Sequence, residues 1–134
     1  MSSTTTRRRK GKRRRIRAEA ARAILSGGSG TDQLTADSGD TILIGGSTNF
    51  DKSLAALEAI LAEWARTDET YAQRVGHIHG FTTGGLNGNY FLKASMVNCG
   101  ATADTLNGGS GLDWFWANLA LDTITGLQSG DRED

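Results

Sequence analysis

Four aspartates recur at intervals of nine late in the chain: Asp104, Asp113, Asp122 and Asp131. Large apolar residues keep the same interval, at Val97, Leu106, Phe115 and Ile124. Two nine-residue stretches match the pattern G-G-x-G-x-D-x-U-x (U a large apolar residue) at every defined position: GGSGTDQLT at Gly27–Thr35 and GGSGLDWFW at Gly108–Trp116. Glycine admits positive φ and leaves carbonyl oxygens exposed. A carboxylate closes each six-residue loop. Such loops offer hard oxygen donors, and Ca²⁺ takes six to eight of them at about 2.3–2.6 Å. One loop cannot supply that many; two stacked loops can.

A six-residue loop followed by a three-residue strand makes one unit, and two units make one turn of a coil. Loops eighteen residues apart then become neighbours, pairing 108–113 with 126–131 and 99–104 with 117–122. The candidate metal ligands are Gly28, Gly30, Asp32, Asp104, Gly109, Gly111, Asp113, Asp122 and Asp131. The eighth residue of each unit faces inward. The match is uneven. Around Asp104, Asp122 and Asp131 most glycines are missing, and Cys99 stands where a first glycine belongs. In ADSGDTILI at 36–44, Thr41 replaces the aspartate and Asp40 is displaced by one place. The next unit begins Gly45-Gly46-Ser47 and dissolves. One to three good sites are expected; the alternative is a β-solenoid whose motif has decayed and holds calcium poorly.

The elements that must position these loops follow from composition. The 134 residues allow one domain plus a tail. Proline is absent, glycine numbers 18, and hydrophobic content is 37%, low for a conventional core. A ligand crosslinking the loops offsets that deficit. The net charge of zero conceals two halves: residues 7–22 hold ten basic residues and one acid, whereas 23–134 hold five basic and fourteen acidic residues, a net charge of −9. An acidic body of that kind repels itself without bound cations. A single cysteine, Cys99, rules out an internal disulfide.

Along the chain, RRRKGKRRR at 7–15 reads as a disordered basic tail, extending over 1–22. IRAEAARAIL at 16–25 has helical propensity. No apolar h-region marks a secretory signal. Residues 27–46 make about one turn of coil. From Asp51 as N-cap, Leu54, Leu57, Leu61 and Trp64 fall on one helical face, widened by Ile60, with Lys52, Glu58 and Glu63 opposite. This helix runs to about Arg66 and docks on the open end of the coil. Thr67-Asp68-Glu69 starts a second helix with Tyr71 and Val75 inward, ended by Gly76. The helical insertion thus spans about 51–76. His77 and His79 could ligate a transition metal from a strand, but a surface turn fits better without a third ligand. The glycine-rich loop at 80–89 lacks the lysine of a phosphate loop. Tyr90–Val97 has strand composition, and Val97 resumes the beat. Trp114 and Trp116 alternate with inward Phe115; they either cover the coil beneath the insertion or present an outward pair to a sugar or partner. The first helix has too few basic residues on its polar face to favour a membrane surface. No stretch is apolar enough to span a bilayer.

The nonapeptides resemble the repeats-in-toxin (hemolysin-type) calcium-binding repeat. Longer segments resemble a recurrent C-terminal module of large bacterial extracellular proteins: GDTILIGG at 39–46, AALEAILAEW at 55–64, GGLNGNYFL at 84–92 and ADTLNGGSGLDWF at 103–115. RRRIRAEAARAILS at 13–26, with Glu19, Arg22, Leu25 and Ser26 in matching places, is similar to the arginine-rich leader of some bacterial surface proteins. These resemblances imply a mainly β chain: a parallel β-roll or β-solenoid over 23–134, interrupted by an α-helical insertion. They imply a secreted or cell-surface, non-enzymatic calcium-binding module folded around Ca²⁺, with calcium ions and cell-surface components as partners. No nucleophile–base set or cofactor motif points to an enzyme. The competing reading is a nucleic-acid-binding protein that uses the arginine arm, with steep salt dependence; against it, the body is acidic and offers no base-reading fold.

Overall fold

The nine-residue beat becomes strand after strand. A computed structural model describes residues 2–6, 14–17, 22–28, 30–36 and 39–134. The chain is sheet-rich, with parallel strands and two helices. In order these are β1 (Ser2–Thr6), β2 (Arg14–Arg17), β3 (Arg22–Ser26), β4 (Asp32–Thr35), β5 (Asp40–Ile44), β6 (Ser47–Thr48), α1 (Leu54–Trp64), α2 (Tyr71–His79), β7 (Val97–Asn98), β8 (Thr105–Asn107), β9 (Trp114–Trp116), β10 (Thr123–Thr125) and β11 (Arg132–Glu133). One parallel sheet has the order β1-β3-β5-β9-β11 and the other β10-β8-β4-β2. From β2 onward the chain alternates between them, apart from the insertion. From β2 onward, partners within a continuous stretch are eighteen residues apart, as in Arg22↔Asp40 and Thr123↔Thr105; β1 is offset from β3 differently, with Ser2 opposite Arg22. Across the insertion Leu34 meets Leu106 and Leu43 meets Phe115. That interval of 72 residues, which the accompanying hydrogen bonds share, is four times eighteen, so the insertion leaves the phase intact.

Two cores result. Between the sheets lie Leu25, Leu34, Leu43, Leu106 and Phe115, with Ala23, Ala36 and Ala117 beside them and Ile124 packed against the cluster. On the outer face of the first sheet, Ile24, Ile42, Ile44, Trp114 and Trp116 pack against Ile60, Trp64, Val75, Ile78 and Leu92 of the insertion. The helices therefore cover a sheet face; they do not plug the end of the coil, as the sequence suggested. The reason is strand alternation: β3, β5 and β9 are apolar on both faces, so their outer face needs a cover. The outward residues of the second sheet, among them Gln33, Thr35, Thr105 and Asn107, are polar and only partly covered. Trp114 is fully buried and Trp116 nearly so, which settles their role as covered residues.

Several local expectations are corrected. Residues 22–26 form a strand where a helix was expected, and Ser2–Thr6 and Arg14–Arg17 are strands within the span assigned to a disordered tail. Residues 7–13 and 18–21, including Glu19, lie outside the described residues. Pairing at eighteen residues outweighs the helical propensity of RAILS, because it sinks Leu25 into one core and Ile24 into the other. The N-cap of α1 is Ser53, whose side chain accepts from the Ala56 amide; Asp51 instead accepts from the Thr48 hydroxyl. The buried face of α1 is Ala56, Ile60, Glu63 and Trp64, while Leu54 is exposed. Helix α2 starts at a Thr70–Gln73 capping box and runs through Gly76 to a left-handed Gly80. His77 and His79 thus sit in its last turn and not in a surface turn. Residues 90–96 form no strand; Val97–Asn98 pairs antiparallel with β6 and joins neither parallel sheet.

Candidate metal centre

Loop after loop donates its first amide to a carbonyl at the end of the neighbouring parallel strand: Gly27 to Ile44, Ala36 to Asn107, Gly45 to Trp116 and Gly108 to Thr125. This stacks the loops along two edges. On the first edge loop 27–32 lies over a loop ending at Asp104, which lies over 117–122. On the second, Ala36 and Thr41 lie over 108–113, which lies over 126–131. The two complete nonapeptides thus stand on opposite edges, and each stacks on degenerate neighbours.

The aspartates fall into ranks through one repeated bond. The Asp32 amide donates to Asp104 Oδ1 at 2.7 Å, and the Asp104 amide to Asp122 Oδ1 at 2.8 Å. On the other edge the Thr41 amide donates to Asp113 Oδ1 at 2.9 Å, and the Asp113 amide to Asp131 Oδ1 at 2.8 Å. The site glycines take the left-handed backbone that the motif requires: Gly28 has φ 75°, Gly30 87°, Gly109 63° and Gly111 95°. At Gly108 a Cβ would stand 2.7 Å from Asp113 Oδ2, so the first glycine makes room for the carboxylate.

The second oxygens differ between inner and outer turns. Asp122 Oδ2 accepts from the Asn118 amide and Asp131 Oδ2 from the Gln128 amide, each within its own loop. Asp104 Oδ2 and Asp113 Oδ2 are buried and have no hydrogen-bond partner among the described residues. Neither carboxylate has an ion-pair partner among the described residues. Burial pushes the Asp104 carboxyl up to about 7, against the lowering effect of the Asp32 amide, and the neighbouring Asp122 and Asp32 charges add to the rise. Burial likewise pushes Asp113 up to about 8, against the Thr41 amide and helped by Asp131 and Asp40.

The displaced Asp40 has a different fate. Its Oδ2 pairs with Arg74 at 2.8 Å and lies 3.8 Å from Arg22, and its Oδ1 accepts from the Leu112 amide. Arginines do there what a metal would do elsewhere. Arg22 also donates to the carbonyls of Trp64 and Arg66, capping the end of α1. Arg22, Leu25 and Ser26 of the leader-like stretch are consequently part of the folded body, and Leu25 and Ser26 are buried.

One acidic cluster escapes sequence reasoning. Glu63, Glu69 and His77 bring ligand atoms within 4.8 Å of one another. Glu63 is fully buried; its oxygens accept from the Leu86 amide and Arg66 and lie 2.8 Å from His77 Nδ1. Burial pushes its carboxyl up, but hydrogen bonds from Glu69, Leu86, His77 and Arg66 outweigh that and hold it below its usual range. Arg66 stands 3.2 Å from both Glu63 and Glu69, so a cation already occupies the cluster's charge centre. His79 faces away, stacked 4.0 Å from Phe81 and about 6 Å from Trp114 and Trp116. The two histidines share no ligand site. Among the described residues, no helix is long and apolar enough to cross a membrane. Comparison with family models, with curated proteins and with solved structures finds no match for this chain.

Proposed function

We propose that the chain is a non-enzymatic calcium-binding module, a parallel β-roll in which Ca²⁺ between stacked loops neutralises ranked carboxylates. The observation that carries this reading is the pair of buried oxygens, Asp104 Oδ2 and Asp113 Oδ2, left without a hydrogen-bond partner among the described residues, in glycine-rich loops. An uncompensated buried carboxylate is costly, and a hard dication with oxygen ligands removes that cost. On the first edge Asp32, Asp104 and Asp122 would hold the ion together with carbonyls around Gly28 and Gly30. On the second, Asp113 and Asp131 would do so with carbonyls around Gly109 and Gly111. The ion supplies charge neutralisation and a crosslink between turns; the chain supplies stacked loops and the hydrogen bonds that orient each Oδ1.

Two or three carboxylates per site are few. Affinity follows ligand charge and rigidity, and a Kd on the order of 10⁻⁴–10⁻³ M, the range of extracellular modules, fits this donor set. That supports a place outside the cell or on its surface, as does the likeness to hemolysin-type repeats. Calorimetric titration of Ca²⁺ tests the reading, together with circular dichroism and melting curves with and without chelator. The expected result is saturable uptake and a higher Tm with Ca²⁺ and a much smaller effect with Mg²⁺, which demands a stricter octahedron and gives up water reluctantly. Identical melting curves and no heat of binding would overturn it.

A further inference from the structure

The loop ending at Asp104 is not one piece of chain. Gly45 and Gly46 begin it directly after β5, the chain then departs, and Ala101 to Asp104 complete it before β8. Between Gly46 and Ala101 lie residues 47–100, which is 54 residues, three times eighteen. Joined across that gap, the sequence reads GGATADTLN, a nonapeptide interrupted after its second residue. The departing and returning legs are clamped as the antiparallel pair β6–β7, with Ser47 opposite Asn98 and Thr48 opposite Val97. Gly45, and not Cys99, fills the first-glycine place: a Cβ on Gly45 would stand 3.0 Å from Asp122 Oδ2 and 3.5 Å from Asp104 Oδ2. A Cβ on Gly46 would fall 1.9 Å from the Asn98 carbonyl, so the two legs touch backbone to backbone.

Both halves of the split loop bond to the intact loop above. The Gly28 amide and the Ser26 hydroxyl donate to the Gly46 carbonyl, at 2.7 and 3.2 Å, and the Thr102 hydroxyl donates to the Gly30 carbonyl at 2.6 Å. The same segments line a cavity of about 160 Å³, among them Gly28, Gly30, Gly46, Asn98, Gly100 and Thr102. Asp104, only 2% exposed, brings its unpartnered Oδ2 to this loop pair.

We infer that the first edge carries a composite calcium site, built from Gly28, Gly30 and Asp32 together with 45–46 and 101–104, that forms only when the two legs of the helical insertion are closed. This rests on the calcium reading above and adds to it a coupling. An ion there staples the neck of the insertion, and by linkage a closed neck raises affinity at that site. The second-edge site, made by 108–113 and 126–131, lies in continuous chain and lacks this coupling.

Hydrogen exchange on the full chain, with Ca²⁺ as the only added probe, tests the coupling. Calcium is expected to slow exchange of the β6–β7 amides about tenfold or more. Asp32→Asn should abolish that slowing while Arg132–Asp134 keep their own calcium response. Thr102→Val, which removes one hydroxyl and keeps side-chain shape, should weaken the neck response severalfold and guards against misfolding of the first variant. Calcium uptake by the wild-type chain without a neck response would overturn the coupling and leave the calcium reading standing. Full neck response in both variants would do the same, and absence of any uptake would overturn both.

Discussion

The buried carboxylates Glu63, on one side, and Asp104 and Asp113, on the other, share a residue class and differ in company. Glu63 is fully buried, yet Arg66, His77 and the Leu86 amide converge on it and keep it ionised. Asp113 is equally buried and Asp104 nearly so, but each receives one amide on Oδ1, nothing on Oδ2, and only other carboxylates as charged neighbours. The insertion carries its own counter-charges. Among the described residues, Asp104 and Asp113 have no ion-pair partner. A buried acid becomes a metal-site candidate when its surroundings leave its charge uncompensated, whatever the number of acids nearby.

The two regions should differ most at Glu63. Glu63→Ala strands Arg66, His77 and the Leu86 amide, and should cost about 3 kcal/mol. The loss should be the same with calcium or with chelator in urea denaturation; a loss that calcium repairs would place Glu63 among the metal ligands. The pH dependence comes next, and its sign separates the two regions. The raised carboxyls of Asp104 and Asp113 contribute stability that is fully present below the ordinary carboxyl value. That contribution is lost as pH rises through about 7 and about 8. The metal-free chain should therefore melt at a higher temperature at pH 5 than at pH 8.5. Calcium should reverse the order, because it needs the ionised form. Glu63, with its lowered value, contributes above its ordinary range and loses that contribution only in acid. Melting curves at both pH values, with calcium and with chelator, check the crossing.

Asp113→Asn sharpens the same contrast at a smaller scale. It keeps an oxygen for the Thr41 amide and deletes the uncompensated charge. Without metal the variant should melt about 3 °C higher, and with calcium it should bind more than about tenfold weaker. A variant destabilised in both conditions would mean that the charge is already satisfied in the metal-free fold.

Much of this was legible in spacing alone, because a period of nine is a statement about which residues share a face. Leu34, Leu43, Leu106 and Phe115 are all buried between the sheets, and the pairs 104/122 and 113/131 stack. The same beat runs upstream of Gly27: Ile16 and Leu25 precede Leu34 at nine-residue steps, and Ile16 pairs with Leu34. That signal outranks the helical propensity of residues 16–25. The split loop was not legible, since Gly45 and Asp104 meet only if a 54-residue excursion closes on itself, and Cys99 occupied the counted position. Glu63 looked like a solvent-side residue for a similar reason: its partners come from α1's end, α2 and the loop at Leu86, which no local pattern joins.

The smallest effect is expected at Asp122, and it tests whether position in the stack matters more than position in the motif. Asp122 and Asp104 both close a six-residue loop, so the repeat pattern ranks them equally. Geometry does not. Asp122 Oδ2 already accepts from the Asn118 amide, and the residue is only half-buried at the end of its rank. Water and its own loop share the carboxylate's charge, whereas Asp104 lies between two loops. Asp122→Asn should leave the metal-free Tm within about 1 °C of wild type, since a partly exposed charge contributes little. Its loss of calcium affinity should be smaller than that of Asp104→Asn measured by the same titration. Equal losses would mean that the ion is held by the motif irrespective of burial, and the buried, unpartnered oxygen would no longer mark the site.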